Sequence, residues 1–142
     1  MLFDADFIIY VDGASRGNPG HASYGFAILN SDEEVVHRGS GYIGINTNNV
    51  AEYTALREAL RFAMAQGIHS VQIRSDSELL VKQLNGEYKV KSEHLAVLNE
   101  ECRQLLRRFE WYEIKHVPRF QNKLADRLAN EALDEELKPR DS

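Results

Sequence analysis

Cysteine is nearly absent: Cys102 is the single one among 142 residues, alongside only three prolines. One thiol cannot close an internal disulfide or build a thiolate metal site. Long apolar runs are missing too. None approaches the roughly 20 residues that cross a bilayer, so no membrane partner is expected. The opening Met1-Leu2-Phe3-Asp4-Ala5-Asp6 has no basic n-region, which argues against a secretory leader and makes a cytoplasmic location the default. No Pro/Gly/Ser-rich linker, repeat or low-complexity stretch divides the chain. Its length suits one domain over 1–142, with an ordered core of about 5–137. Positive charge is in short supply: 17 Lys and Arg against 22 Asp and Glu leave a net charge of −5. That balance excludes a broadly basic binder and little else, because local patches govern contacts with phosphates.

What is present is an ordinary globular mixture, 43% hydrophobic and 27% charged. Phe7 to Val11 is continuously apolar and rich in β-branched and aromatic residues, which reads as a strand buried on both faces. A glycine-rich turn is expected from Asp12 to Gly20, then strands over Ser23–Leu29 and Val35–Ile43 joined by the polar turn Asn30-Ser31-Asp32-Glu33. From Asn49 the period becomes helical, with Ala55, Leu56, Ala59, Leu60 and Ala63 in one stripe that ends near Gly67. Ser70 to Ser75 reads as a short strand, and a helix through Leu80, Val81 and Leu84 stops at Asn85-Gly86. A further helix is expected from about Glu93 to Arg108, a strand from Trp111 to Val117, and a last helix from about Asn122. That helix turns Ala125, Leu128, Ala129, Ala132 and Leu133 inward, and Lys138 to Ser142 are expected to fray. Cys102 shares a helical series with Leu95, Leu98, Leu105 and Leu106, which favours a core position over a redox role. The order βββ-α-β-α-α-β-α gives an antiparallel meander followed by parallel strands: an α/β mixed sheet with helices on its faces.

Four acids fall at informative places. Asp12 follows the first strand and Asp76 the fourth, so parallel pairing of those strands brings both to the carboxyl edge, where open α/β sheets bind ligands. Glu52 lies one turn before Leu56 on the sheet-facing stripe, where an acid is costly to bury without a partner. Asp126 lies in the first turn of the last helix, beside its packed face. Each aspartate alone is explained as well by turn or helix capping. Together they would repel one another strongly without cations, and hard divalent ions take carboxylate oxygens as ligands.

The blocks Asp12-Gly13-Ala14-Ser15-Arg16-Gly17-Asn18-Pro19-Gly20, Thr47-Asn48-Asn49-Val50-Ala51-Glu52-Tyr53, Ser75-Asp76-Ser77 and Asn122-Lys123-Leu124-Ala125-Asp126 occur in this order along the chain. They closely resemble the signature blocks of type 1 ribonuclease H, and the similarity runs from about residue 7 to residue 133. The resemblance implies a ribonuclease H-like fold, a five-stranded mixed sheet of order 3-2-1-4-5. It implies an endonuclease that hydrolyses the RNA strand of an RNA–DNA hybrid by a two-metal-ion mechanism, leaving 5′-phosphate and 3′-hydroxyl ends. Asp12, Glu52, Asp76 and Asp126 correspond to the family's metal-binding carboxylates, for two Mg²⁺ ions with Mn²⁺ as a substitute, and Asp12 to the bridging one.

His116, ten residues before Asp126, corresponds to a histidine that assists catalysis or product release, although it also continues the Tyr112 and Ile114 side of its strand. Its context, His116-Val117-Pro118-Arg119, departs from the glycine-rich form of the best-known members and leaves open whether Arg119 shares or replaces its role. Ser15, Gly17, Asn18, Asn48 and Asn49 resemble the residues that read 2′-hydroxyls in the minor groove, and Thr47 and Asn49 those that hold a phosphate of the DNA strand. Turn chemistry explains the same residue types. Glu78 stands where some relatives carry glutamine.

The segment from Asn85 to Ser92 is too short for the basic protrusion of many relatives, leaving Lys89 and Lys91 as DNA contacts or as part of a solvated loop. Weak, distributive binding with a shallow salt dependence is expected, by a monomer. Two rivals remain: another nuclease on the same fold, disfavoured by Asn48-Asn49-Val50-Ala51-Glu52, and a non-catalytic binding module, which retention of all four acids disfavours.

Overall fold

The computed structural model describes residues 5–139. The first four residues of the segment read for a leader, and residues 140–142 of the expected frayed end, lie outside that range. Among the described residues, no helix is long and apolar enough to cross a membrane.

Strands β1 (Phe7–Gly17), β2 (Gly20–Asn30) and β3 (Val35–Asn46) form an antiparallel meander. Helix α1 (Asn48–Ala65) leads to β4 (Ser70–Ser75), and α2 (Glu78–Leu84) and α3 (Glu93–Leu106) to β5 (Trp111–His116). A short 3₁₀ turn (Arg119–Gln121) precedes α4 (Lys123–Glu136). β4 runs parallel to both β1 and β5, which gives the order β3-β2-β1-β4-β5. The expected five-stranded mixed sheet is therefore the one that forms.

The Asp12–Gly20 segment is not the turn that its composition suggested. β1 continues to Gly17, paired residue for residue with β2 from Phe7↔Asn30 to Gly17↔Gly20. Only Asn18 and Pro19 remain at the tip. Glycine and serine are weak strand formers, but a ladder partner on β2 satisfies their backbone groups and overrides propensity. The same pairing lengthens β2 and β3 beyond the expected Ser23–Leu29 and Val35–Ile43, with register irregularities at Ala22/Ser23 and Ile28/Leu29. Smaller corrections fall at element ends. α1 begins at Asn48, α3 stops at Leu106, β5 stops at His116, and the 3₁₀ turn delays α4 to Lys123.

Helices cover both faces. Ile9 and Val11 of β1 and Phe26 and Ile28 of β2 share a face and pack with Val50, Tyr53, Leu56 and Leu60 of α1. Leu98 and Cys102 of α3 pack behind them. Cys102 is fully buried, and burial pushes its thiol up to about 12, so it sits in the core as expected. On the opposite face Gly25 of β2 admits α4. A methyl group there would stand 2.4 Å from the Ala125 carbonyl oxygen and 2.6 Å from the Ala129 nitrogen. Ser23 Oγ donates to the Ala129 carbonyl at 2.5 Å. Ala125, Ala129 and Leu133 are buried, while Leu128 and Ala132 are only half-buried.

Candidate active site

The pairing of β1 with β4 ends at Val11↔Ser75; Asp12 is the next residue of β1, and Asp76 is the first residue past the end of β4. β1 carries on beside β2 alone, so the rim of the site is where parallel pairing stops, not where β1 stops. Asp12 pairs with Gly25 and faces α4, whereas Gly13 pairs with Tyr24 and faces α1. A methyl group on Gly13 would stand 2.5 Å from backbone atoms of Ala51 and Glu52. Glycine here lets the first turn of α1 lie directly on β1. The Gly13 N–H then donates to Asp12 Oδ1 at 3.0 Å and to Glu52 Oε2 at 3.1 Å, so one amide orients two carboxylates.

Carboxylate oxygens of Asp12, Glu52 and Asp76 all lie within 4.8 Å of one another. Asp126, at the start of α4, stands outside that group of three. It lines the same cleft and comes close enough to Asp12 to share a proton with it. The cleft measures about 290 Å³ and is also lined by Gly13, Asn48 and Arg119.

The electrostatics follow from this crowding. Burial first, then the charge of Asp76 and the proximity of Asp126, push Asp12 up to about 8, against the lowering pull of the Gly13 amide. Glu52 is raised well above the usual carboxylate range by burial and by Asp12 and Asp76. Asp76 is raised by burial and Asp126, opposed by Arg119, by a hydrogen bond from Asn122 and by His116. Crowding of this kind disfavours bare negative charge on the acids and favours a cation among them. Oxygen-only donors at this spacing fit a hard divalent ion.

The other sequence-selected residues separate into groups. Arg119 lines the acidic cleft, whereas His116 lies at the exposed end of β5, opposite Ser75 in register and outside the cleft lining. Asn48 lines the cleft as well, and its N–H donates to Asn18 Oδ1 at 3.1 Å, tying the hairpin tip to α1. Ser15 Oγ donates to the Gly17 carbonyl and, at 3.3 Å, to the Asn46 carbonyl. Gly17 has φ +97°, a conformation that favours glycine. Thr47 caps α1, its Oγ1 accepting from Val50 N at 3.2 Å. Thr47, Asn49 and Asn18 line a second cavity of about 490 Å³. Lys89 and Lys91 line a third, of about 580 Å³, and so stand apart from the acids.

Sequence reasoning gave no role to Gly13 or Asn122. Asn122 is 1% exposed, and its Nδ2 donates to the Val11 carbonyl at 2.8 Å while the side chain also supports Asp76. A glycine inside a strand is a readable signal of close approach. Nothing local distinguishes Asn122 from an ordinary helix cap.

A five-stranded sheet of this order, with an acidic cleft where parallel pairing stops, defines the ribonuclease H-like class of α/β proteins. The family model described as reverse transcriptase-like matches residues 10–132. Ribonuclease HI of Halobacterium salinarum is 45% identical over 126 residues, covering 89% of this chain and 63% of that protein, so the chain spans a little under two thirds of this relative. The crystal structure of RNase H1 from Halobacterium salinarum NRC-1 superposes with a TM-score of 0.89 at 44% identity, covering 91% of this chain and 98% of the other. That of LC11-RNase H1 in complex with an RNA/DNA hybrid gives a TM-score of 0.89 at 41% identity, covering 93% and 99%. The chain belongs to the type 1 ribonuclease H family.

Proposed function

We propose that this protein is an endonuclease that hydrolyses the RNA strand of RNA–DNA hybrids with the help of two Mg²⁺ ions, leaving 5′-phosphate and 3′-hydroxyl ends. The observation that carries this reading is the oxygen-only cluster of Asp12, Glu52 and Asp76, with Asp126 facing Asp12, in a chain of this family. The hybrid bound by LC11-RNase H1 supports the substrate.

Asp12, Glu52, Asp76 and Asp126 would hold the ions, with Mn²⁺ a substitute for Mg²⁺. When bound, such ions supply the positive charge that activates a water and stabilises the departing 3′ oxygen. The remaining work belongs to the protein. Gly13 N–H fixes the orientation of Asp12 and Glu52, and Asn122 holds Asp76 against β1. Arg119 presents a permanent charge within the cleft, suited to the scissile phosphate. His116, exposed at the end of β5 opposite Ser75, would hand a proton to the leaving 3′ oxygen. On this reading Arg119 binds the phosphate while His116 moves protons, so neither replaces the other. Ser15, Gly17, Asn18, Asn48 and Asn49 meet the 2′-hydroxyls, Thr47 and Asn49 take a DNA phosphate, and Lys89 and Lys91 extend contact along the DNA strand.

The test compares RNA–DNA hybrid, double-stranded RNA, duplex DNA and branched DNA as substrates, with Mg²⁺ and with chelator, for the wild type and Asp76→Asn. Hybrid cleavage that needs Mg²⁺ and falls by more than about 100-fold in the variant is expected. Equal activity of the two proteins would remove the mechanism.

A further inference from the structure

Four side chains from three helices close a hydrogen-bonded circuit beside the loop between α2 and α3. Tyr53 of α1 donates its hydroxyl proton to Gln83 Oε1 of α2 at 2.6 Å and accepts from Asn99 Nδ2 of α3 at 3.1 Å. Asn99 Oδ1 accepts from Arg103 Nε at 2.8 Å, and Arg103 Nη2 returns to α2 by donating to the Gln83 carbonyl at 2.8 Å. Tyr53, Gln83 and Asn99 are buried, where a polar group without a partner is strongly destabilising. None of the circuit is left in that state: among the described residues, the buried side-chain atoms without a partner are Arg57 Nε and Asn122 Oδ1. The direction of every bond follows from Arg103, which can only donate. It takes Asn99 Oδ1, so Asn99 presents its amide N–H to Tyr53. The hydroxyl proton is then free for Gln83 Oε1, and the Gln83 amide nitrogen points out of the circuit.

That nitrogen donates to the Lys89 carbonyl at 3.3 Å. Upstream, the loop turns at Gly86, with φ +79°, and the N–H groups of Glu87 and Tyr88 donate back to the Lys82 carbonyl. Downstream, Ser92 caps α3. Between these fixed points, among the described residues, the Gln83 bond is the one hydrogen bond made to residues 89–91. Gln83, Lys89 and Lys91 also line the same groove of about 580 Å³. We propose that Gln83 is a positioning residue for the substrate: oriented by Tyr53, Asn99 and Arg103, it fixes the loop so that Lys89 and Lys91 meet the DNA strand already ordered. This rests on the reading of the two lysines given above. A loop that must be ordered at the moment of binding subtracts that entropy from affinity. Here the buried circuit does the ordering during folding.

The test compares wild type, Gln83→Leu, the pair Lys89→Ala with Lys91→Ala, and all three changes together. Steady-state hybrid cleavage with Mg²⁺ gives kcat and KM. Fluorescence anisotropy over a salt series, with each protein carried in an Asp76→Asn background so that the hybrid is bound but not cut, gives the salt slope. Gln83→Leu is expected to raise KM about fivefold with kcat within about twofold, and to reduce the slope by about 0.9, the loss of one phosphate contact. Once both lysines are gone, the same substitution should change neither. Leu98→Ala is the control: it weakens the packing of α3 without removing a bond of the circuit. It should lower the melting temperature and leave KM and the slope where they were. Should Gln83→Leu fail to fold, Tyr53→Phe removes one bond of the circuit at nearly constant shape and should raise KM about twofold in the same pattern.

Additive effects of Gln83→Leu and the lysine changes would overturn the proposal, as would an equal rise of KM in Leu98→Ala. If the lysine changes weaken binding and Gln83→Leu does not, only the positioning role fails. If the lysine changes leave KM and slope at their wild-type values, the loop contact fails and the proposal falls with it. If the wild type does not prefer hybrid over duplex DNA, the substrate reading itself fails.

Discussion

Asp12 and Gly13 divide the two faces of β1 between them: one carries an acid toward α4, and the other leaves room for α1. An added methyl group at residue 13 would meet backbone, which has nowhere to retreat. Gly13→Ala should cost about 1–3 kcal/mol in a denaturant titration and should sharply reduce hybrid cleavage by displacing Glu52. Residue 12 gives a pH dependence. In the metal-free folded protein Asp12 keeps its proton to about pH 8, while the unfolded chain loses it near 3.8. Between those values the unfolded state binds fewer protons, so stability falls as pH rises from about 4 to about 8 and then levels off. Urea midpoints in chelator at pH 5 and pH 8 check the sign, and Mg²⁺ should restore stability at pH 8. By the same logic Asp76→Asn, which removes one repelling charge, should raise the metal-free midpoint while abolishing cleavage. A midpoint that is flat with pH would show that the acids are not crowded in solution.

Among the elements, the site depends on how closely two helices approach the sheet. α4 brings Asp126 to the cleft because Gly25 has no side chain. Gly25→Ala should push α4 outward, lower the melting temperature and weaken cleavage more than binding, as kcat and KM measured separately would show. α1 brings Glu52, and its start is set by Thr47; Thr47→Ala should cost about 1 kcal/mol from the lost cap. Most elements were legible because their periodicity is strong. The Ser70–Ser75 strand and the helix ending at Asn85-Gly86 emerged as expected. The second half of β1 was not, because Gly13, Ser15 and Gly17 look like a turn until β2 supplies the other half of each hydrogen bond. The caps of α1, α2 and α3 are engaged by Thr47, Ser77 and Ser92, as capping chemistry favours.

For the protein taken together, charge and shape set how substrate is held. The net charge is −5, and the loop between α2 and α3 carries only Lys89 and Lys91 toward a groove. With few phosphates neutralised, hybrid binding should show a shallow salt dependence, with a slope magnitude below about 4. Gel shifts across a salt series decide this, and a steep slope would overturn the expectation. Lengthening the loop with a basic insert should steepen the slope and tighten binding without altering which strand is cut.

The order of elements, the mixed sheet and the identity of the acids were all written in the linear chain. Those depend on local periodicity and on residue types that few other roles require. Folding in three dimensions was needed to set the rim where β4 ceases to pair with β1, and to make one glycine amide serve two carboxylates. It also put Arg119, not His116, in the lining of the cleft, and brought Tyr53 to Gln83 and Asn99. Each of these is a meeting of residues far apart along the chain, and local sequence carries no information about such a distance until the sheet has formed.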